Sequence, residues 1–238
     1  GADVIKIETP GQGDAGRRLP PFAPDVPAPE ASGLHAFLSA GKSSVAINLD
    51  SPDGAALVQR LAGKADIVLD AMRPGGSADV GLGYEDLKAV APDLIMVALS
   101  WFGADGGRRD WLGSDGVAQA LAGFISPIGQ KHGPPIIPGG YFAQITTGLT
   151  AFIATMTALI GNQAGDNGTL IDLSIQEAQT TYTETAGVRL AYGGPQSVRK
   201  GINKFTPTYP QTIYPASDGW IGVTVLTPQQ WRTWCELI

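Results

Sequence analysis

The sequence has 238 residues, of which 43% are hydrophobic and 16% are charged, and its formal net charge is −6. This length and this apolar share predict a folded protein with a sizeable core and exclude a disordered chain. The negative charge argues against general nucleic-acid binding, because proteins neutralise phosphates with a surplus of lysine and arginine.

Cysteine and histidine are scarce: the chain has one cysteine, Cys235, and two histidines. A lone cysteine excludes an intrachain disulfide, and so few cysteines and histidines leave no zinc-binding pattern. We therefore expect a cytoplasmic protein that holds no metal.

One stretch, residues 141–163, carries no charge and is the candidate for a membrane span. Several threonines interrupt it, and no lysine or arginine closely flanks it. We predict a buried central helix and no contact with a membrane.

The first element in chain order is a predicted strand at residues 4–8, followed by a G-x-G-x-x-G match at residues 11–16. A dinucleotide site with this motif needs a helix to begin directly after it, whereas the many prolines within residues 20–29 prevent a helix there. A flexible loop ending in Arg17 and Arg18 remains, and two guanidinium groups suit phosphate oxygens.

Predicted strands and helices alternate through the next part of the chain. Strands are predicted at 44–49, 66–69, 94–99 and 169–173, and helices at 52–63, 84–90, after Asp115, up to about Gly161, and after the capping box formed by Ser174 and Glu177. Repeated βαβ units favour an α/β fold, a Rossmann-like parallel sheet with helices on both faces.

The pattern changes near the carboxyl end of the chain. A hairpin around Ser217-Asp218-Gly219 and a helix opened by Thr227-Pro228 indicate the beginning of a smaller second domain. We predict a large Rossmann-like domain at 1–190, a linker at 191–205 and an incomplete small domain at 206–238.

Asp115 is the candidate for chemistry, because it lies where the loop after a buried strand enters a helix. In an open parallel sheet, loops at the carboxyl ends of strands form the ligand crevice, and a helix amino end offers free N–H groups. A reacting carboxylate suits that place. The alternative is that Asp115 is only the N-cap of the helix.

Six segments in the same order resemble family III CoA-transferases, a group that includes formyl-CoA and carnitine CoA-transferases and shares its fold with α-methylacyl-CoA racemases. The segments are GADVIKIE (1–8), GKSSVAINL (41–49), RPG (73–75), GLGY (81–84), FG (102–103) and GSDGVAQA (113–120). The resemblance covers the chain nearly end to end. It implies a CoA-binding large domain that lacks the family's first strand and helix here, and an interlocked homodimer.

The resemblance also implies a reaction and a nucleophile. CoA would move between an acyl-CoA thioester and a free carboxylic acid through a covalent intermediate on Asp115, with no permanently bound cofactor. The backbone N–H groups of Gly116 and Val117 would stabilise the oxyanions. Candidates for binding CoA, whose phosphates need local cations, are Arg17, Arg18, Lys42, Met72, Arg73 and Pro74. For Arg73 the alternative is an ordinary pair with a nearby acid.

Two other functions stay open alongside the transferase. One is a non-catalytic CoA-binding partner subunit or truncated family member. The other is an acyl-CoA racemase or isomerase, which is disfavoured because Ser114 and Gln144 stand where the racemases carry a histidine and a second aspartate. Thr206-Pro207-Thr208-Tyr209-Pro210 replaces the glycine-rich lid of formyl-CoA transferases, and Trp101 stands where a glycine is commoner.

Overall fold

The computed structural model describes residues 1–23, 28–165, 167–201 and 208–237. The strands are β1 (Val4–Glu8), β2 (Lys42–Ala46), β3 (Ile67–Asp70), β4 (Ile95–Ser100), β5 (Leu170–Ser174), β6 (Gln211–Ala216) and β7 (Gly219–Thr224). The α-helices are α1 (Gly33–Ser39), α2 (Pro52–Ala62), α3 (Gly76–Asp79), α4 (Tyr84–Lys88), α5 (Asp115–Leu121), α6 (Phe142–Gln163), α7 (Ile175–Thr180), α8 (Glu184–Ala191) and α9 (Pro228–Leu237). Short 3₁₀ turns form at Ala15–Arg18 and Thr181–Thr183.

The chain forms two compact units. The first comprises Gly1–Ala98 and Thr155–Ile171, and the second comprises Leu99–Ala154 and Asp172–Ile238. The predicted linker and the predicted start of the small domain fall partly on residues 202–207, which lie outside the described residues, as do the first two residues of the segment at the place of the lid. The predicted domain limits therefore stay a prediction.

Parallel strand pairs define the first unit and confirm the predicted α/β class. β1 pairs with β2, with Val4 opposite Lys42 and Glu8 opposite Ala46. β3 pairs with β4 in parallel, within a sheet of order β3-β4-β5. The described strands thus place the parallel pairs in two sheets rather than in one continuous sheet, because no hydrogen bonds join β1 or β2 to the others.

The core of the first unit is apolar and lies between these strands and the helices that follow them. Its buried members are Ile47, Val58, Ala62, Leu82, Leu87, Leu94 and Met96. The helix α2 begins as predicted, with Ser51 Oγ accepting from the N–H of Gly54 and Pro52 at the first helical position. A β-carbon at Gly54 would lie 1.8 Å from the Asn48 carbonyl oxygen, so this close approach requires glycine.

The second unit contains α5, α7 and the predicted hairpin. α7 begins at its predicted cap, where Ser174 Oγ accepts from the N–H of Glu177 at 3.2 Å. β6 and β7 are antiparallel, with Ala216 opposite Gly219, so Ser217 and Asp218 form a two-residue turn. α9 begins at Pro228, also as predicted.

The helix α6 differs from its prediction as a buried central helix. Ile145, Leu149, Phe152, Ile153 and Ile160 on this helix are each more than half exposed. Burial of an apolar helix depends on the surfaces that surround it, which its own sequence does not specify. Among the described residues α6 alone is long and apolar enough to cross a membrane, but length and composition are weak support for a span, since core helices share them.

Candidate functional site

Asp115 is the first residue of α5, and the N-cap of that helix is Ser114. Ser114 has an extended backbone, and its Oγ accepts from the N–H of Val117 at 3.4 Å. The alternative that Asp115 caps its own helix is therefore wrong. Its carboxylate is available for other contacts.

The two carboxylate oxygens of Asp115 accept hydrogen bonds from two different helices, α5 and α6. Oδ1 accepts from the backbone N–H of Gln144 at 3.1 Å, and Oδ2 accepts from Nε2 of Gln119 at 2.6 Å. Gln144 lies in the first turn of α6, where N–H groups have no partner within their helix. A carboxylate has about four acceptor positions, so these two bonds leave it able to accept or attack elsewhere. The residue is half-buried.

Gln119 is fully buried and holds this carboxylate in place. Its Nε2 also donates to the Pro138 carbonyl oxygen at 3.3 Å. Because both neighbours of the amide nitrogen are acceptors, the network determines the orientation of the amide. Sequence reasoning missed Gln119, although its position four residues after Asp115 on one helix face is the signal that finds it.

The two candidate oxyanion donors differ in their surroundings. The N–H of Val117 is engaged by Ser114, through the long bond of 3.4 Å. Gly116 faces Ile137, whose Cδ1 would lie 3.2 Å from a β-carbon at position 116. Glycine at this position therefore allows the Ile137 side chain to pack close to the backbone of the turn.

Trp101 packs against the turn that precedes α5, and this accounts for a residue that the sequence left unexplained. A β-carbon at Gly113 would lie 2.2 Å from Cγ of Trp101, so the indole occupies the space that only glycine leaves open. The Trp101 carbonyl oxygen accepts from the N–H of Gln176 at 3.1 Å. Trp101 therefore connects the start of α7 to the turn that positions Asp115.

Arg17 in the first unit is bound by two carboxylates. Its Nε and Nη2 donate to Glu8 at 2.8 and 3.0 Å, and its Nη1 donates to Glu30 at 2.6 Å. The Arg17 guanidinium holds the pKa of the buried Glu8 carboxyl well below its usual range, with help from Ser44 and the N–H of Asp14, while burial opposes them. The positive charge of Arg17 is thus compensated within the loop after β1.

Arg18 and Lys42 present their charges differently. Arg18 is exposed and donates to the Gln12 carbonyl oxygen at 2.7 Å. Lys42 is exposed at the amino end of β2, opposite Val4, whereas Arg17 contacts Glu8 at the other end of the paired strands. Four residues of strand separate these ends, or about 13 Å. The structure does not bring Lys42 and Arg17 to the same end of this sheet.

The last three CoA-binding candidates share one turn between β3 and α3. The N–H of Met72 donates to Asp70 Oδ1 at 2.8 Å, and the Arg73 guanidinium pairs with Asp79. Both partners of that pair are mostly exposed, so solvent screens it and another anion can compete for Arg73. Met72 and Pro74 flank Arg73 in the same turn.

The described residues contain no group of three or more histidine, cysteine, aspartate or glutamate side chains that could hold a metal ion. The G-x-G-x-x-G match runs into the four-residue 3₁₀ turn Ala15–Arg18, and the next helix among the described residues is α1, which begins at Gly33.

Comparison with known proteins decides the family. The model of CoA-transferase family III matches residues 1–238. The chain belongs to CoA-transferase family III. The resemblance drawn from the six sequence segments is therefore confirmed.

Relatives within family III cover the chain completely. The succinate–glutarate CoA-transferase of Agrobacterium fabrum is 32% identical over 240 residues, which are 100% of this chain and 60% of that protein. The human succinyl-CoA:glutarate CoA-transferase is 30% identical over 239 residues, which are 100% of this chain and 53% of that protein. A crystal structure of a CAIB/BAIF family protein from Brucella suis matches with a TM-score of 0.84 and 29% identity, over 100% of this chain and 62% of that one. The chain thus spans a little over half the length of these relatives.

Proposed function

We propose that the complete protein moves CoA between an acyl-CoA thioester and a free carboxylic acid, with Asp115 as the nucleophile. Membership of family III over the whole chain supports this class of reaction. The observation that carries the assignment of Asp115 is its half-buried carboxylate, which opens α5 with each oxygen held by one hydrogen bond.

The proposed exchange proceeds in balanced steps. The Asp115 carboxylate attacks the acyl carbon of the thioester, which forms a mixed anhydride and releases CoA thiolate. The thiolate then attacks the Asp115 carbonyl carbon, which gives an aspartyl-CoA thioester and frees the first acid. The second acid takes the CoA by the same two steps in reverse, so the reaction requires neither an oxidant nor a metal.

Residues around Asp115 have distinct parts in this proposal. Gln119 and the N–H of Gln144 orient the carboxylate, and the backbone N–H of Gly116 lies in the same helix turn as a donor to the tetrahedral oxyanions. The N–H of Val117 would join it only by leaving Ser114 Oγ.

For CoA itself we propose the exposed cations Arg18, Lys42 and Arg73, with Met72 and Pro74 as apolar surface for the adenine. Arg17 orders the glycine-containing loop by its bonds to Glu8 and Glu30, and it contributes to the CoA site by holding that loop in place. The thioester is a substrate in this scheme, and no permanently bound cofactor takes part.

The relatives suggest a class of acid. Two of them are named for succinate or succinyl-CoA and for glutarate. We extend that chemistry to this protein and propose dicarboxylic acids as its substrates, in a homodimeric, cytoplasmic enzyme.

A second candidate function is a CoA-binding subunit without catalysis of its own. It is favoured by the use of both Asp115 oxygens in hydrogen bonds within the fold, one to Gln119 in α5 and one that joins α5 to the first turn of α6, which is a structural task in itself. Gln144, at the place of the racemases' second aspartate, contributes its N–H to that joint and has no acidic side chain. The same residue and the capping role of Ser114 leave the racemase without an acid–base pair at these two positions.

The two candidates are separated by trapping the intermediate in the full-length protein. The protein is incubated with succinyl-CoA, reduced with borohydride and digested for mass spectrometry, alongside the Asp115→Asn and Gln144→Asp variants. Reduction of residue 115, absent from Asp115→Asn, is expected from the enzyme. An unmodified Asp115 in a folded protein that nevertheless binds CoA indicates the second candidate. If only the Gln144→Asp variant is modified, and at residue 144, the result would indicate that the reacting carboxylate belongs at position 144, where the natural chain has a glutamine.

A further inference from the structure

A cationic cluster in the second unit has no part in the reaction described so far. It consists of Lys131 in the loop between α5 and α6, and of Arg199 and Lys200 after α8. Arg199 Nη1 donates to the Ser126 carbonyl oxygen at 2.8 Å, which fixes the guanidinium over that loop. A β-carbon at Gly201 would lie 3.9 Å from Lys131 Cβ, so the two segments are in contact.

The loop is shaped around the Arg199 side chain. Gly129 has a φ of +125°, and a β-carbon there would lie 2.8 Å from the Pro134 carbonyl oxygen and 3.3 Å from Arg199 Cδ. Only glycine therefore permits this loop conformation with the arginine stem packed on it.

The hydrogen-bonding capacity of Arg199 is incompletely used. Its Nε is buried and has no partner within the described parts of the chain. No described carboxylate lies within ion-pair distance of Arg199 or Lys131. A buried guanidinium N–H without a partner is costly, and the planar fork of the guanidinium matches a carboxylate. Arg199 as a whole is only half-buried, so a dissolved anion can reach part of it.

A short stretch of chain connects this cluster to Asp115 within the same unit. Ile136 Cγ1 lies 3.5 Å from the β-carbon position of Gly129, beside Arg199, and Ile137 Cδ1 lies 3.2 Å from that of Gly116. The next residue, Pro138, accepts from Gln119, which also holds Asp115. Since neighbouring Cα atoms are about 3.8 Å apart, the backbone beside Arg199 at Ile136 and the backbone beside Gln119 at Pro138 are at most about 8 Å apart.

We propose that Arg199, with Lys131 beside it, binds the second carboxylate of a dicarboxylic acyl group whose thioester carbon reacts at Asp115. The inference deepens the proposed function and rests on it. The separation of the two sites, bridged by a long arginine side chain, suits a short dicarboxylate. The phosphates of CoA do not fit, because the pantetheine arm holds them much farther from the thioester.

The test compares acceptors with one and two carboxylates. Glutarate and butyrate are used as acceptors from acetyl-CoA, with the full-length protein and its Arg199→Met and Arg199→Lys variants. Arg232→Met is the matched control, since Arg232 is an exposed arginine that also donates to a backbone carbonyl. For Arg199→Met we expect the KM of glutarate to rise by at least about 30-fold, with butyrate changed less than about twofold. Arg199→Lys should recover part of the loss, and the control should change neither acid. Equal effects on both acids, or none on glutarate, overturn the inference.

Direct binding keeps the inference testable if the protein exchanges no CoA, which would reject the proposed function alone. Calorimetric titration with free glutarate should then show binding to the natural protein and its loss in Arg199→Met. Equal glutarate binding by the two proteins overturns the inference. So does a loss of CoA binding in Arg199→Met with glutarate binding intact, because that result would make Arg199 part of a phosphate site. If Arg199→Met does not fold, Lys131→Met takes its place. We then expect the KM of glutarate to rise and that of butyrate to stay unchanged. Equal KM changes for the two acids would be the contrary result.

Discussion

The backbone N–H of Gln144, in the first turn of α6, donates to the carboxylate of Asp115 at 3.1 Å. One side chain thus both begins α5 and satisfies a helix-end donor of α6. A carboxylate at such a point is stabilised by the partial positive charge of the helix end. The relationship makes Asp115 important for structure as well as for the proposed chemistry, and the two roles can be measured separately.

Substitution of Asp115 should separate these roles. Asp115→Asn keeps one oxygen for the N–H of Gln144, so the fold should persist, with a loss of about 1–2 kcal/mol in the free energy of unfolding. CoA exchange should fall by at least about a thousandfold, because the amide cannot form the anhydride. Steady-state exchange, calorimetric CoA binding and urea unfolding provide the three measurements. An exchange rate within tenfold of the natural protein would remove Asp115 from the mechanism.

Gln119 should be sensitive to the charge of its replacement. Gln119→Glu places a buried carboxylate beside Asp115, whereas Gln119→Leu only removes the donor to Asp115 and Pro138. We expect Gln119→Leu to lose about 1–3 kcal/mol of unfolding free energy at neutral pH and Gln119→Glu to lose more. Two adjacent carboxylates raise the pKa of one of them, so the deficit of Gln119→Glu should shrink as the pH falls from 7 to 5. A pH-independent deficit, followed by chemical denaturation across this range, would argue against contact between the two side chains.

The Glu8–Arg17 pair should make the stability of the protein dependent on acid. The pKa of Glu8 lies below its ordinary value of 4.5, chiefly because of the Arg17 guanidinium. The pKa of Asp14 is lowered too, since its bonds with Lys6 and the N–H of Gly16 outweigh the larger opposing effect of burial. A carboxyl with a depressed folded pKa stabilises the protein above its unfolded pKa, and this stabilisation is lost as the pH falls.

We therefore expect the free energy of unfolding to be nearly level from pH 7 to 5 and to decline below about pH 4.5. In Glu8→Gln the neutral-pH value should be lower by about 2 kcal/mol or more and the decline below pH 4.5 should be shallower. Glu30→Gln is the control, because Glu30 is the exposed partner of the same arginine and should have a smaller effect. An acid limb in Glu8→Gln as steep as in the natural protein would exclude Glu8 as its source.

The contact between Trp101 and Gly113 predicts a repairable defect. Gly113→Ala drives a methyl group into the indole and should reduce the unfolding free energy by about 2 kcal/mol or more, together with exchange activity. Removing the indole as well, in Trp101→Gly with Gly113→Ala, should recover part of that loss relative to the sum of the single variants. Gly139→Ala, where a β-carbon meets no atom within 4 Å, is the control. Additive effects in the double variant would show that the two residues do not interact.

Short-range signals predicted where several elements of this chain begin or turn, although the short helices α1 and α3 were not predicted. Ser51-Pro52 opens α2, Ser174 caps α7, Ser217-Asp218 turns the hairpin and Pro228 opens α9, as the sequence indicated. The family could also be recognised from the sequence, because its motifs are short segments that occur in a set order. These features depend on residues within a few positions of one another, so they can be predicted from the amino-acid sequence.

Contacts between distant residues decided the rest. Asp115 depends on Gln144, 29 residues away, and Ser44 reaches Glu8 across 36 residues, distances over which no periodicity or motif gives a signal. The exposure of α6 and the pairing of Arg17 with two carboxylates likewise follow from which surfaces meet. The sequence by itself determined most of the elements, the α/β class and the family. Only the tertiary structure decided the partners of each charged group, because hydrogen bonds and burial depend on distance in space rather than along the chain.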